Sequence, residues 1–181
     1  LASHSARLDG GATREAVART IVGSAEHLRA RVTADYQAHL GRTPSVAERD
    51  AAVTALQGGR RWEEHAVGLL ASAEHRARYP SDRAFVEQLY LVVLGRPGEA
   101  AGVQAHLQAL RSGSSRAVVA RGFLDSVERR RKLAAEAYQA FLGRAPTAAE
   151  RDAAVQTQAA HGHAGLWIEL LAGGDYFARN R

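Results

Sequence analysis

Cysteine and methionine are both absent from the 181 residues, and proline occurs only four times. Without cysteine there is no disulfide framework, no thiolate metal site and no cysteine nucleophile, and thiols give no reading of redox compartment. Long apolar runs are missing too. Even Phe85 to Leu94 is interrupted by Glu87 and Gln88, so no membrane insertion is expected. Aromatics make up 6% of the chain, β-branched runs are few and alanine is abundant, which points away from a sandwich or barrel and toward helices. The start has neither an initiator methionine nor a charged-then-apolar signal pattern, so an excised or processed piece of a longer protein is expected.

What is present fits a chain that buries a core: 46% hydrophobic and 24% charged residues. Lys plus Arg number 24 against 19 Asp plus Glu, a net charge of +5 that permits an anionic partner without demanding one.

The dominant feature is internal repetition. Tyr36–Arg42, Tyr90–Arg96 and Tyr138–Arg144 all read Y-x-x-x-L-G-R, the second interval being six shorter than the first. A second marker, Ser24-Ala-Glu26, Ser72-Ala-Glu74 and Ser126-Val-Glu128, precedes these tyrosines at equal distance in the first and third cases and six further away in the middle one. The six extra residues coincide with Arg78 to Arg83, where Pro80 cannot continue a helix and Ser81 or Asp82 is suited to cap a new one. The strongest match is two repeats apart: ERDAAV occupies both Glu48–Val53 and Glu150–Val155, and at the same offset His4, Leu8, Gly11, Arg14 and Arg19 recur as His106, Leu110, Gly113, Arg116 and Arg121.

These markers divide the chain into the tail of a repeat at 1–30 and repeats at 31–83, with a linker at 78–83, at 84–132 and at 133–181, expected to form one continuous helical unit. Val32, Tyr36 and Leu40 make one helical stripe, as do Val86, Tyr90 and Leu94, with Phe85, Leu89 and Val93 widening it in the middle copy. Gly41, Gly95 and Gly143 stand where a helix ends in the left-handed conformation. Ser45 to Glu48 and Thr147 to Glu150 are S/T-x-x-E capping boxes, which the middle copy replaces with Pro97-Gly98-Glu99. A third helix is expected through Val118, Val119, Phe123, Leu124 and Val127, and where serine and tyrosine stand closer together it should run almost directly into the next first helix. The fold class is all-α, a helical repeat array of about three and a half copies packed as a compact bundle or short solenoid.

Residues 85–128, with an aromatic-rich first helix, L-G-R, A-A-G and a closing S-x-E, resemble the bacterial family called domain of unknown function 4214, and the repeats extend that resemblance over the chain. More distantly, the pattern is similar to the helical domain of phycobilisome linkers. The resemblance implies modules recurring in bacterial surface and secreted proteins, extracellular or at the cell surface, with no established catalytic residues. The copies at Tyr36 and Tyr138 depart from it, carrying ERDAAV where the middle copy has A-A-G.

Candidate interaction residues carry structural readings as well. Arg42, Arg96 and Arg144 could form an anion-binding row, or relieve carbonyls just past a helix end. Tyr36, Tyr90 and Tyr138 are expected to bury their rings, and Ser-x-Glu suits an N-cap with an acid in the first turn. Arg129, Arg130, Arg131 and Lys132 are the one dense basic run, but four consecutive positions circle a helix and suit a solvated surface. His161 and His163 flank a glycine in the manner of a metal clasp, yet no further ligands stand at a recognisable spacing and no metal or cofactor is assigned. No H-E-x-x-H, G-x-S-x-G, P-loop or EF-hand pattern is present, so no enzymatic activity is expected. The expected function is non-catalytic binding or scaffolding through a protein, a cell-surface polymer or self-association; the alternative is electrostatic binding of nucleic acid or an acidic glycan.

Overall fold

The computed structural model describes residue 8 and residues 10–179. His4, the first residues of the tail at 1–30 and the last two of the repeat at 133–181 lie outside the described residues. The described chain is all-α, with eleven helices. These are α1 (Arg14–Val22), α2 (Ala25–Leu40), α3 (Val46–Gln57), α4 (Trp62–Leu70), α5 (Ala73–Arg78), α6 (Asp82–Leu89, continued by a π turn at Tyr90–Leu94), α7 (Ala100–Arg111), α8 (Arg116–Leu124), α9 (Val127–Leu142), α10 (Ala148–Ala172) and α11 (Gly174–Arg179).

Hydroxyl side chains start most of them. Thr13, Ser72, Ser81 and Ser115 each accept the backbone N–H three residues on, and Ser45 and Thr147 form full capping boxes with Glu48 and Glu150. The capping serines Ser24 and Ser126 accept from the N–H groups of His27 and Arg129. Where serine and tyrosine stand closer together, α2 and α9 run unbroken from Ser-x-Glu through the tyrosine. In the middle copy the extra residues break the helix at Tyr79, and Ser81 restarts it. The L-G-R glycines Gly41, Gly95 and Gly143 have φ of 62°, 75° and 68°, the left-handed region that a Cβ penalises.

The chain divides into two units, Arg29–Arg129 and the pair of segments Leu1–Leu28 and Arg130–Arg181. In Arg29–Arg129, Ala66, Val67 and Leu70 of α4 join Phe85, Val86, Leu89, Tyr90 and Val93 and residues of α7 and α8 in one core. Complete burial of Phe85 or Leu89 stabilises by about 1.5–3 kcal/mol each. In the other unit, Ala134, Ala137, Tyr138, Ala154, Leu166 and Leu170 form one cluster, and Ala18 and Val22 of α1 meet Leu171 in another.

Two features depart from the expected helices. The end of the middle stripe widens into a π turn that leaves Leu91 exposed while Tyr90 and Val93 stay buried. The third helix ends at Leu124, so Val127 opens α9 and, like Val118, is exposed instead of joining the core.

Candidate functional site

Arg42, Arg96 and Arg144 sit just after the left-handed glycines, and each is held by two carboxylates. Arg42 donates from Nε and Nη2 to both oxygens of Glu74 (2.6 and 2.8 Å) and from Nη1 and Nη2 to both oxygens of Glu48 (3.0 and 2.6 Å). Arg96 donates to both oxygens of Glu128 (2.5 and 2.8 Å) and to Glu99 (2.7 Å). Arg144 donates to both oxygens of Glu150 (2.9 and 2.6 Å) and to Asp175 (3.0 Å). Each guanidinium carbon also lies over the ring of its own tyrosine, 5.2 Å from Tyr36, 5.3 Å from Tyr90 and 5.4 Å from Tyr138, within cation–π range.

The three clamps thus join the two sequence markers. Glu74 and Glu128 are the acids of Ser-x-Glu, and each follows its arginine at the same interval along the chain. Asp175, in Gly173-Gly174-Asp175, takes that place for Arg144 at an interval one shorter. The charge-assisted, fork-like pairing is the strong form of such a contact. Hydrogen bonds from Arg42 and from Ser45 hold Glu48 down to about 2, and Arg144 and Thr147 hold Glu150 down to about 2. Glu74, Glu99 and Glu128 are lowered by their arginine, and the arginines are raised in turn. Burial, with the neighbouring carboxylates, raises the hydroxyls of Tyr36, Tyr90 and Tyr138.

The guanidinium groups of Arg42, Arg96 and Arg144 each donate to the carbonyl of the next residue; the carbonyls that end the helices are met otherwise, that of Leu40 by the Arg78 side chain and that of Tyr90 by the backbone N–H of Arg96. With one cation between two carboxylates, each clamp sums to a negative charge.

The basic run behaves differently. Arg131 is exposed and lies 3.7 Å from Asp152, Lys132 lies 3.6 Å from Glu136, and Arg129 and Arg130 are half-buried. His161 and His163 flank Gly162, whose φ of 69° kinks α10; His161 is exposed while the buried His163 packs its ring 4.8 Å from Trp167. Among the described residues no group of three His, Cys, Asp or Glu side chains is placed to hold a metal ion, and no helix is long and apolar enough to cross a membrane.

Two features escaped the sequence reading. Arg116, at the start of α8, is buried and donates to the carbonyls of Tyr79 and Pro80 and to Asp82, stitching the linker to α8 while lying 4.7 Å from the Phe85 ring. Its signal was its counterpart two repeats earlier, Arg14, which lies 4.3 Å over Phe177. The second is a buried group of Asp35, His39 and His65. Asp35 has Arg31 Nε at 3.6 Å and His65 Nε2 at 4.0 Å, the latter beyond hydrogen-bond range. Burial pushes the Asp35 carboxyl up to about 6 against the pull of Arg31, Arg129 and the Trp62 side chain, and pushes His39 and His65 down to about 4.

An all-α chain whose recurring residues build three arginine clamps is therefore a duplicated helical module. Residues 66–133 match the family described as a domain of unknown function, DUF4214, a stretch that contains the whole Arg96 clamp. No curated protein and no solved structure matches the chain.

Proposed function

We propose that the chain is a non-catalytic binding or scaffolding module of a bacterial surface or secreted protein, acting through contact with another protein or a cell-surface polymer. One observation carries this reading: the tyrosine, the arginine and the clamp acids that recur are engaged with one another within each copy, while some exposed positions change from copy to copy. Leu91 is 53% exposed where the flanking copies have Gln37 and Gln139, and Val46 is 66% exposed where the later copies have Ala100 and Ala148. A constant frame with variable exposed positions suits the display of different surfaces. The pairing of Arg42, Arg96 and Arg144 with carboxylates supports recognition by shape and apolar contact over a row of free cations.

The test measures binding to purified bacterial cell wall, to duplex DNA and to an acidic glycan at physiological and raised salt, together with surface labelling of intact cells that produce the protein. The expected result is surface exposure, cell-wall or protein contact that survives moderate salt, and only weak binding to DNA. Submicromolar binding to DNA or the glycan at physiological salt, lost when Arg129, Arg130, Arg131 and Lys132 are replaced by Ala, Gln or Ser, would overturn the scaffold in favour of an electrostatic binder.

A further inference from the structure

The molecule contains its own comparison for the buried group of Asp35, His39 and His65. Counting from the tyrosine, Asp35 and His39 correspond to Leu89 and Val93 in the second copy and to Ala137 and Phe141 in the third. His65, the fourth residue of α4, corresponds to Val119, the fourth residue of α8. Counting back from the clamp acids Glu74 and Asp175, it corresponds to Leu166 in α10. Leu89, Val93, Val119, Ala137 and Leu166 are all buried in apolar clusters, and Phe141 packs against one of them. The same framework therefore closes twice on hydrocarbon and once on three ionisable groups.

Those groups are poorly satisfied. Asp35, His39 and His65 are 6%, 8% and 5% exposed, and Asp35 Oδ2, His39 Nδ1 and His65 Nε2 have no hydrogen-bond partner. Burial with a polar atom left unsatisfied disfavours the charged form of each imidazole, whereas the apolar residues of the other copies carry no such penalty. The surroundings are cationic. Arg31 faces the group from α2, Arg60 precedes α4 and Arg129 comes from the start of α9. On α4, Glu63 is paired with Arg61 at 3.5 Å. From α5, His75 is fully buried with neither ring nitrogen hydrogen-bonded, and Arg78 and Arg116 are the cations acting on it.

We propose that Asp35, His39 and His65 form an acid-sensitive latch that keeps the unit Arg29–Arg129 packed near neutral pH and releases it in mildly acidic surroundings. Near neutrality both imidazoles are uncharged and fit a buried site. As the pH falls below about 6.5, the unfolded chain takes up protons on His39 and His65 that the folded chain resists until about 4, so stability drops across that interval. His75 adds a contribution of the same sign. Asp35 opposes it: its raised carboxyl, at about 6, takes up a proton in the folded state first and favours folding as the pH falls toward 3.8. Two or three histidines outweigh one carboxyl. Protonation of Asp35 also removes a negative charge 4.0 Å from His65 that would have steadied its charged form.

The test follows urea unfolding of the full chain at pH 7 and pH 5, above the range in which the clamp glutamates titrate. Trp62 and Trp167 are the only two tryptophans and lie in different units, so a Trp167→Phe background leaves Trp62 to report on Arg29–Arg129. In that background the unfolding constant should rise at least about tenfold from pH 7 to pH 5. His39→Val with His65→Val, which installs the residues found at Val93 and Val119, should abolish most of that rise, and Asp35→Leu should steepen it. An equal rise with and without the two histidines, or none in the parent, overturns the latch. Should the double variant fail to fold, NMR titration of the unsubstituted protein decides: His39 and His65 should resist protonation until the unit opens, and titration of both near pH 6.5 with the fold intact overturns the proposal.

Discussion

The clamp around Arg42 and the clamp around Arg96 are built from the same parts in different places. In the first, the carboxylate comes from Glu48, three residues into α3, which also accepts the backbone N–H of Ser45 at 2.7 Å. In the second, that position is Gly102, and the carboxylate comes from Glu99 at the residue before α7. A Cβ on Gly102 would collide with the Tyr90 hydroxyl, and one on Gly98 would lie 2.5 Å from the Tyr90 ring. Removing the N3 glutamate thus goes with a tyrosine that fills its space, and the acid moves to the cap. What the copies keep is a guanidinium between two carboxylates above a buried ring; which helix position supplies the second acid is free to change. The capping box is one solution to that requirement, and A-A-G is another.

The largest effect should come from separating the clamp from the core around it. A fragment of residues 84–132 keeps Tyr90, Arg96, Glu99 and Glu128 but loses Ala66, Val67 and Leu70 from the shared core. Circular dichroism should find it largely unfolded or associated, because exposed ion pairs contribute little against the loss of buried apolar area. A stable, cooperative monomer would show that a single copy is self-sufficient.

Next in size is an attempt to convert one clamp into the other. Gly102→Glu places the acid where Glu48 and Glu150 stand, but its Cβ meets the Tyr90 hydroxyl. Overpacking of this kind should cost about 2 kcal/mol, read as a lower urea midpoint, and Tyr90→Phe in the same chain should recover part of it. Equal cost in both backgrounds would mean that the hydroxyl is not what excludes a side chain there.

Smaller differences should separate Glu48 from Glu99. Glu48→Ala removes a clamp arm and half of a capping box, while Glu99→Ala removes a clamp arm and no capping box, so the first should lower the melting midpoint more. Acid gives the same contrast. The folded chain holds Glu48 at about 2 against an ordinary 4.5, so its contribution is complete above 4.5 and is lost as the pH falls toward 2. The Glu48→Ala protein should therefore lose less stability than the parent over that interval, and raised salt should shrink the difference.

How far these features could be read from sequence depended on their range along the chain. Helix ends and starts are local, so Gly41, Gly95, Gly143, Ser45 and Thr147 gave themselves away by residue type, and the shorter and longer spacings from Ser-x-Glu to tyrosine marked where a helix runs on or breaks. Arginine and Ser-x-Glu were each legible as local motifs, but their union needs tertiary approach between distant parts of the chain; the equal interval from Arg42 to Glu74 and from Arg96 to Glu128 was the available signal. Asp175 was harder to see because glycines replace the serine and alanine before it. Asp35, His39 and His65 were hidden by reading only the apolar members of each stripe. Aligning the copies turns them into the exception. The π turn at Tyr90–Leu94 has no signature in residue type.

The arginine after the left-handed glycine and the acid of the following Ser-x-Glu act as one device. A double-mutant cycle on Arg96→Ala and Glu128→Ala, read by urea unfolding of the full chain at low salt, tests it directly. A favourable coupling is expected, with the double variant little worse than either single one, and the same for Arg42→Ala with Glu74→Ala. Strictly additive effects at both pairs would contradict it, because the recurring residues would then be neighbours without being partners.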